Sequence, residues 1–177
     1  MTPRAVTPAT EASTTEAVRA PGAVPGRPCS MAAALQVVGE KWALLAVREL
    51  FYGNHRFDRI ARNTGAPRDR LTARLRALEE AGVVERRPYS ERPPRYEYHL
   101  TEAGRDLAPL AHALRTWGDR WLLPESPVTF EHAPEGHEPH PFDPAWVCRC
   151  CGREARRGEL HAQVHTPGWT VDGPVEL

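Results

Sequence analysis

A chain of 177 residues holds one domain of ordinary size with appendages, and its 23 basic and 23 acidic residues cancel to a formal charge of zero. No stretch approaches the ~20 apolar residues of a membrane span, and the N-terminus lacks the charged-then-apolar pattern of a secretion signal. Four cysteines, three of them crowded into 148–151, do not resemble a disulfide framework, which predicts a cytoplasmic protein in a reducing compartment with no membrane partner.

The neutral total hides an asymmetry. Residues 28–124 carry 16 basic against 12 acidic groups, whereas residues 125–177 carry 4 against 9. The middle of the chain suits an anionic partner and the tail does not.

Residues 1–27 are rich in Ala, Thr, Pro and Glu without apolar periodicity, and read as a disordered arm. Ser30 is placed to cap a short helix over 31–38 that stops at Gly39. A second helix is predicted from about Lys41 to Tyr52, where Trp42, Leu45, Ala46, Glu49 and Leu50 alternate core and surface. Gly53-Asn54 ends it, and His55-Arg56-Phe57 is short enough to be a one-rung strand. Asp58 then caps a short helix over 59–63, and Thr64-Gly65-Ala66 forms a tight turn.

The next stretch, from Pro67 to a stop at Gly82, reads as one helix with Pro67 at its first position. Leu71, Leu75 and Leu78 recur at i, i+4 and i+7, a single apolar stripe. Asp69, Ala73 and Arg76 fall roughly opposite it, with Arg70, Thr72 and Arg74 on the flanks. A solvated amphipathic helix is the ordinary meaning of such a pattern. Yet helix, Gly-containing turn and arginine-rich helix is also the helix-turn-helix layout, in which the second helix enters a DNA major groove.

Val83–Arg87 starts as a β-branched strand, Tyr89–Arg95 is a Pro-containing loop, and Tyr96–Leu100 alternates like a second strand. Two strands around a basic loop, directly after a helix-turn-helix, make a wing with Arg92 and Arg95 as its tip charges. Thr101 is expected to cap a last helix running through about Leu122, with Pro124 as the stop. Leu107, Leu110, Leu114, Trp117 and Trp121 recur on it at helical spacing, a wide apolar face for a small domain. Packing within one chain is the ordinary explanation. A dimer seam is the alternative, joined by Met31, Leu35 and Val38 of the first helix.

The runs Lys41-Trp42-Ala43-Leu44-Leu45, Arg48-Glu49-Leu50, Gly53, Arg56-Phe57, Leu71 through Arg86, Pro93-Pro94-Arg95-Tyr96-Glu97-Tyr98 and Leu100-Thr101-Glu102-Ala103-Gly104 stand in this order. Together they resemble the HxlR-type winged-helix transcriptional regulators of bacteria, relatives of the MarR group. The resemblance spans about residues 29–122. It implies a mainly α fold with a small β-wing (α+β), a homodimer on double-stranded DNA, and the helix from Pro67 as the recognition helix. It implies a winged helix-turn-helix domain over 28–124 and no enzymatic activity.

On that expectation Asp69, Thr72, Ala73 and Arg76 project toward bases, where Arg76 can fork to a guanine and Ala73 can touch a thymine methyl. Arg68, Arg70, Arg74, Arg92 and Arg95 are better placed for phosphates, which supply most of the binding energy. Cys29 has two readings. One is a small residue at a helix start. The other is a thiol that senses an oxidant or electrophile, as the resemblance implies, because a helix N-terminus favours a reactive thiolate.

The tail, 125–177, reads as a Cys/His-containing extension. Cys148 and Cys151 followed by Gly152 have the shape of a zinc-ribbon knuckle, for which four ligands are needed. His137 and His132 are the upstream candidates to complete it, with His140, His161 and His165 as others. In extended relatives a Cys-Gly-His element precedes the knuckle, and here Glu135-Gly136-His137 stands in its place, one cysteine short. No cofactor is required by the rest of the chain. A zinc site, a metal-free β element and a redox switch stay open for the tail. Two other functions are weighed against DNA binding: a winged helix used for protein contact, and a thiol oxidoreductase built on the tail cysteines. The second lacks a partnering His or acid at recognisable spacing.

Overall fold

The computed structural model describes residues 26–156 and 158–175, so the arm expected over 1–27 lies almost wholly outside the described residues. These fall into two compact units, residues 29–112 and residues 26–28 with 113–175.

The first unit opens with α1 (Ser30–Val38), α2 (Lys41–Phe51), α3 (Phe57–Thr64) and α4 (Arg68–Glu80). Antiparallel strands β1 (Val84–Glu91) and β2 (Pro94–Leu100) follow, then α5 (Glu102–Arg105) and the start of α6 (Ala108–Trp121). Helices make most of the unit and one hairpin makes its β part, as expected. The core is the inner faces of α2, α3 and α4 closed by the root of the hairpin: Ala46, Val47, Leu50, Ile60, Leu71, Leu75, Leu78, Val83 and Val84 are all buried. Each large aliphatic side chain here contributes about 1.5–3 kcal/mol by leaving water.

The helix-turn-helix turn is built locally. Gly65 takes a left-handed φ of +69°, open to glycine at no steric cost. The Thr64 hydroxyl donates to the Ile60 carbonyl at 2.7 Å and accepts from the Ala66 N–H at 3.2 Å. Helix α4 ends in a Schellman motif: Gly82, at φ +76°, donates to the Glu79 carbonyl, and the Val83 N–H reaches the Leu78 carbonyl at 2.9 Å.

Several expected boundaries move. Cys29, not Ser30, is the N-cap of α1. Asp58 lies in the first turn of α3 and Arg56 is its N-cap. Pro67 is the N-cap of α4 rather than its first helical residue; its carbonyl accepts the Leu71 N–H at 2.9 Å. Pairing carries both wing strands beyond their expected ends, so the loop shrinks to Arg92-Pro93, with a register shift between Pro88 and Ser90. His55–Phe57 does make one rung: Arg56 bridges Glu97, and the Tyr98 N–H donates to the His55 carbonyl.

The expected 102–122 helix is two helices. Thr101 caps α5 as predicted, accepting from the Gly104 N–H, but the helix breaks at Asp106-Leu107. Pro109 supplies the reason, since its ring would collide with the carbonyl four residues back and it has no N–H to donate. Gly104 is needed at this junction: a Cβ there would stand 2.2 Å from the Val83 carbonyl oxygen.

The second unit holds little regular structure. Two-residue strands β3 (Glu131–His132) and β4 (His140–Pro141) pair antiparallel, and single bridges join Val147 to Glu154 and Trp169 to Pro174. Arg115 ties its helical part together, donating to Asp119 at 2.7 Å and lying 5.0 Å from the centre of the Phe130 ring.

Candidate nucleic-acid interface

Helix α4 sorts its side chains as the periodicity requires. Leu71, Leu75 and Leu78 are at most 1% exposed. Asp69, Arg70, Thr72, Ala73 and Arg76 are all exposed on the same helix. The apolar stripe anchors α4 against α2, and the opposite face is left exposed, on an element of the kind a DNA major groove admits.

The arginines do not all behave alike. Arg70 and Arg76 have no ion pair among the described residues. Arg68 donates to Asp58 at 2.8 Å and lies 4.8 Å from the centre of the Phe57 ring, which pins it across the turn. Arg74 is half-buried and leans toward Glu40, the N-cap of α2, at 3.9 Å, so the helix face it flanks is shared with the start of α2. The Thr72 hydroxyl bonds back to the Arg68 carbonyl at 2.8 Å. At the wing, Arg92 occupies the tip, while Arg95 sits one pair back opposite Ser90; both are exposed.

A buried charge holds this face in place, and periodicity alone did not reveal it. Glu49 is 3% exposed. Its carboxylate accepts from Arg48 at 2.7 Å, from Asn54 at 2.8 Å and from Asn63 at 2.8 Å. The network ties α2 to the end of α3, and so to the turn that aims α4. Its only sequence signal was an acid on the inner side of an amphipathic helix. At the wing root the His55 and His99 rings stack at 4.2 Å. Burial first, then the neighbouring His55 and Arg87, hold the His99 imidazole below its ordinary range. The Arg56 hydrogen bond holds the Glu97 carboxyl below its own.

The expected seam residues divide. Leu35, Leu110, Leu114, Trp117 and Trp121 are between 40% and 63% exposed. Val38 is buried, and Leu107 packs against the core of the first unit, so these two serve the monomer interior instead. Leu110, Leu114, Trp117 and Trp121 stand at i, i+4, i+7 and i+11, one stripe of α6 that α6 itself cannot cover. Cys29 is exposed at the start of α1.

The tail does not assemble the four-ligand site. Among the described residues, no group of three or more His, Cys, Asp or Glu side chains comes together to hold a metal ion. Cys148 and Cys151 do form a tight turn, closed by the Gly152 N–H on the Cys148 carbonyl at 2.7 Å. Backbone N–H groups of Cys151 and Cys150 hold the Cys148 thiol below its ordinary range. His132, however, pairs with His140 across β3 and β4, with ring centres 5.1 Å apart, and His137 joins no ligand cluster. Two thiols without completing ligands do not fit a structural zinc ion.

Comparison with known proteins agrees with the geometry of the first unit. A family model described as HxlR-like helix-turn-helix matches residues 37–126. The chain is 47% identical over 127 residues to an uncharacterized HTH-type transcriptional regulator of Mycobacterium tuberculosis, covering 71% of this chain and 78% of that one. It is 38% identical over 102 residues to another from Synechocystis, covering 57% and 76%. Among solved structures, PA1607, named as a transcription factor, aligns with a TM-score of 0.67 at 33% identity, covering 76% of this chain and 94% of that one. PA1374 from Pseudomonas aeruginosa aligns with a TM-score of 0.55 at 32% identity, covering 82% and 97%.

A helix-turn-helix, an exposed arginine-bearing second helix and a wing, in a chain whose relatives are HTH-type regulators, define a winged-helix transcriptional regulator with DNA as its partner. More narrowly, the chain belongs to the HxlR-like helix-turn-helix family. Its relatives are regulators rather than enzymes, and no single described helix is long and apolar enough to cross a membrane.

Proposed function

We propose that the protein binds a pseudo-palindromic operator as a homodimer, with α4 of each copy in successive major grooves about 34 Å apart. The observation that carries this reading is the sorting of α4, with its leucines buried and Asp69, Thr72, Ala73 and Arg76 exposed together. One such helix reads too few base pairs for a useful specificity ratio, and two-fold pairing doubles the site. The exposed stripe of α6, with Met31 and Leu35 of α1, supplies apolar surface for the seam, worth about 25 cal/mol per Å² buried before association costs. Arg68, Arg70, Arg92 and Arg95 contact phosphates, and Arg74 does so from its position beside Glu40.

Selection of bound fragments from genomic DNA, followed by titration at several salt concentrations, tests the reading. Affinity for the selected operator should fall steeply with salt, and Arg92→Ala in the wing should reduce that slope by about one. A salt-independent affinity would point to protein contact and refute it.

Thiol chemistry at Cys29 is the proposed input, since this exposed sulfur begins the helix that carries Met31 and Leu35. Diamide should change the operator affinity of the wild type and leave Cys29→Ser unaffected. Equal loss in both proteins would move the effect to the tail cysteines.

A further inference from the structure

The Cys148–Gly152 turn of the second unit is a built feature that the operator reading leaves without a role. Its stem is a short hairpin. The Ala155 N–H donates to the Trp146 carbonyl at 2.8 Å, the Cys148 N–H donates to the Arg153 carbonyl at 2.8 Å, and Val147 bridges Glu154 between them. Across the top, the Gly152 N–H closes on the Cys148 carbonyl, with Gly152 at φ +69°, a left-handed conformation that favours glycine. Hydrogen bonds therefore fix the backbone that carries Cys148 at one end of the turn and Cys151 near the other.

The sulfurs converge inside this frame. The backbone N–H groups of Cys151 and Cys150 reach the Cys148 sulfur as donors, and so do the two side-chain thiols. All three cysteines are free and exposed, so a solute meets them without rearrangement of a core. Neither an imidazole nor a carboxylate joins them in a metal-holding group among the described residues. The donor set is sulfur alone.

That donor set selects its ion. Four ligands complete a structural zinc site, and a divalent ion held by two sulfurs would fill its remaining positions with water. Thiolates favour soft cations, and a monovalent d10 cation is satisfied by two sulfurs in line. Charge agrees. Two thiolates and one such cation sum to a single negative charge, and Arg149 and Arg153 flank the pair without an ion pair among the described residues.

We propose that Cys148 and Cys151 form a two-sulfur site for a soft monovalent cation, the cuprous ion being the biological example. Each of the two thiols gives its proton to solvent as its sulfur–metal bond forms, and the metal keeps its oxidation state. Cys150 stays a thiol and donates to the Cys148 sulfur. The site is complete within the second unit and does not depend on the operator reading.

The test is a titration of the full reduced chain with cuprous ion under nitrogen, in competition with bicinchoninate, whose cuprous complex is coloured. Wild type should withdraw one ion per chain. Cys148→Ser and Cys151→Ser should each weaken binding at least tenfold, whereas Cys150→Ser and Cys29→Ser should stay within twofold of wild type. Zinc ion should bind at least a hundredfold more weakly than cuprous ion. X-ray absorption at the copper edge gives an independent readout and should show two sulfur neighbours and no nitrogen.

Failure of wild type to compete with bicinchoninate would overturn the proposal, as would equal binding by wild type and Cys148→Ser. A tenfold loss in Cys150→Ser, or a third sulfur at the metal, would overturn the two-sulfur assignment. A nitrogen neighbour would show that a histidine joins the turn and overturn the all-sulfur donor set. Zinc bound as tightly as cuprous ion, at one ion per two chains, would show that a second copy completes a four-sulfur site and would overturn the assigned ion.

Discussion

Leu75 and Arg76 are adjacent in sequence and opposite in consequence, which allows the orientation of α4 to be tested with two substitutions. Leu75 is 1% exposed among α2 and α4 side chains, while Arg76 is exposed without an ion pair. Leu75→Ala removes buried methyl groups and leaves a cavity, at a cost of about 2–5 kcal/mol. In a domain of this size that lowers the melting temperature by roughly 10 °C or more. Arg76→Ala removes nothing from the core, so its stability should stay within about 0.5 kcal/mol of wild type. Its cost falls on the operator complex instead, at about 1–3 kcal/mol and at one base position, if the guanidinium forks to a guanine. Thermal unfolding followed by circular dichroism reads the first effect. Competition binding against operators substituted base by base reads the second. Normal melting for Leu75→Ala, or equal loss by Arg76→Ala on every sequence, would place the wrong face of α4 inward and refute the recognition-helix assignment.

Other substitutions probe the frame around that helix. Glu49→Ala removes the shared acceptor of Arg48, Asn54 and Asn63, at about 0.5–1.5 kcal/mol for each hydrogen bond lost. Urea unfolding with a shift below about 0.5 kcal/mol, the range of ordinary surface changes, would show that the network is dispensable. Replacing Leu110 and Leu114 together by Glu should leave the first-unit core intact and yield monomers without operator affinity. Sedimentation of the wild type itself as a monomer, with full operator affinity, would sink the dimer. Acidification should destabilise the wing root. The His99 imidazole is depressed in the folded chain by burial and by His55, so below the ordinary histidine range the unfolded state takes a proton first and stability is lost. Glu97, depressed by Arg56, adds loss in the same direction as pH falls through the carboxylate range. The melting temperature should therefore drop between about pH 7 and about pH 5, and less steeply in His99→Phe, which keeps a ring against His55. A wild-type melting temperature that is flat across this range would refute the linkage.

What the sequence determined by itself was local. The leucine stripe at 71, 75 and 78, the glycine turn at 65, the stop at Gly82 and the cap at Thr101 each depend on residues within about one helical turn, where side-chain direction follows from backbone period. From these alone the helix-turn-helix, the wing and the outward face of α4 could be placed, and the ordered resemblance of the runs around them pointed to the family. Pro109 was equally local, and the long apolar repeat of 107–121 obscured the break it makes. Tertiary structure decided which polar groups find each other across long stretches of chain. It joined the buried Glu49 to Asn63, fourteen residues away, and paired Arg56 with Glu97, forty-one away. It drew Arg68 to Asp58 and Arg74 to Glu40, and turned Val38 and Leu107 inward. It also kept His132 with His140 rather than with the Cys148–Cys151 turn. The physical reason is range: hydrogen bonding and periodicity within a helix are written every three or four residues, whereas the partner of a charge is set by how whole elements pack, and two arginines on one helix face carry no mark of which will meet a carboxylate.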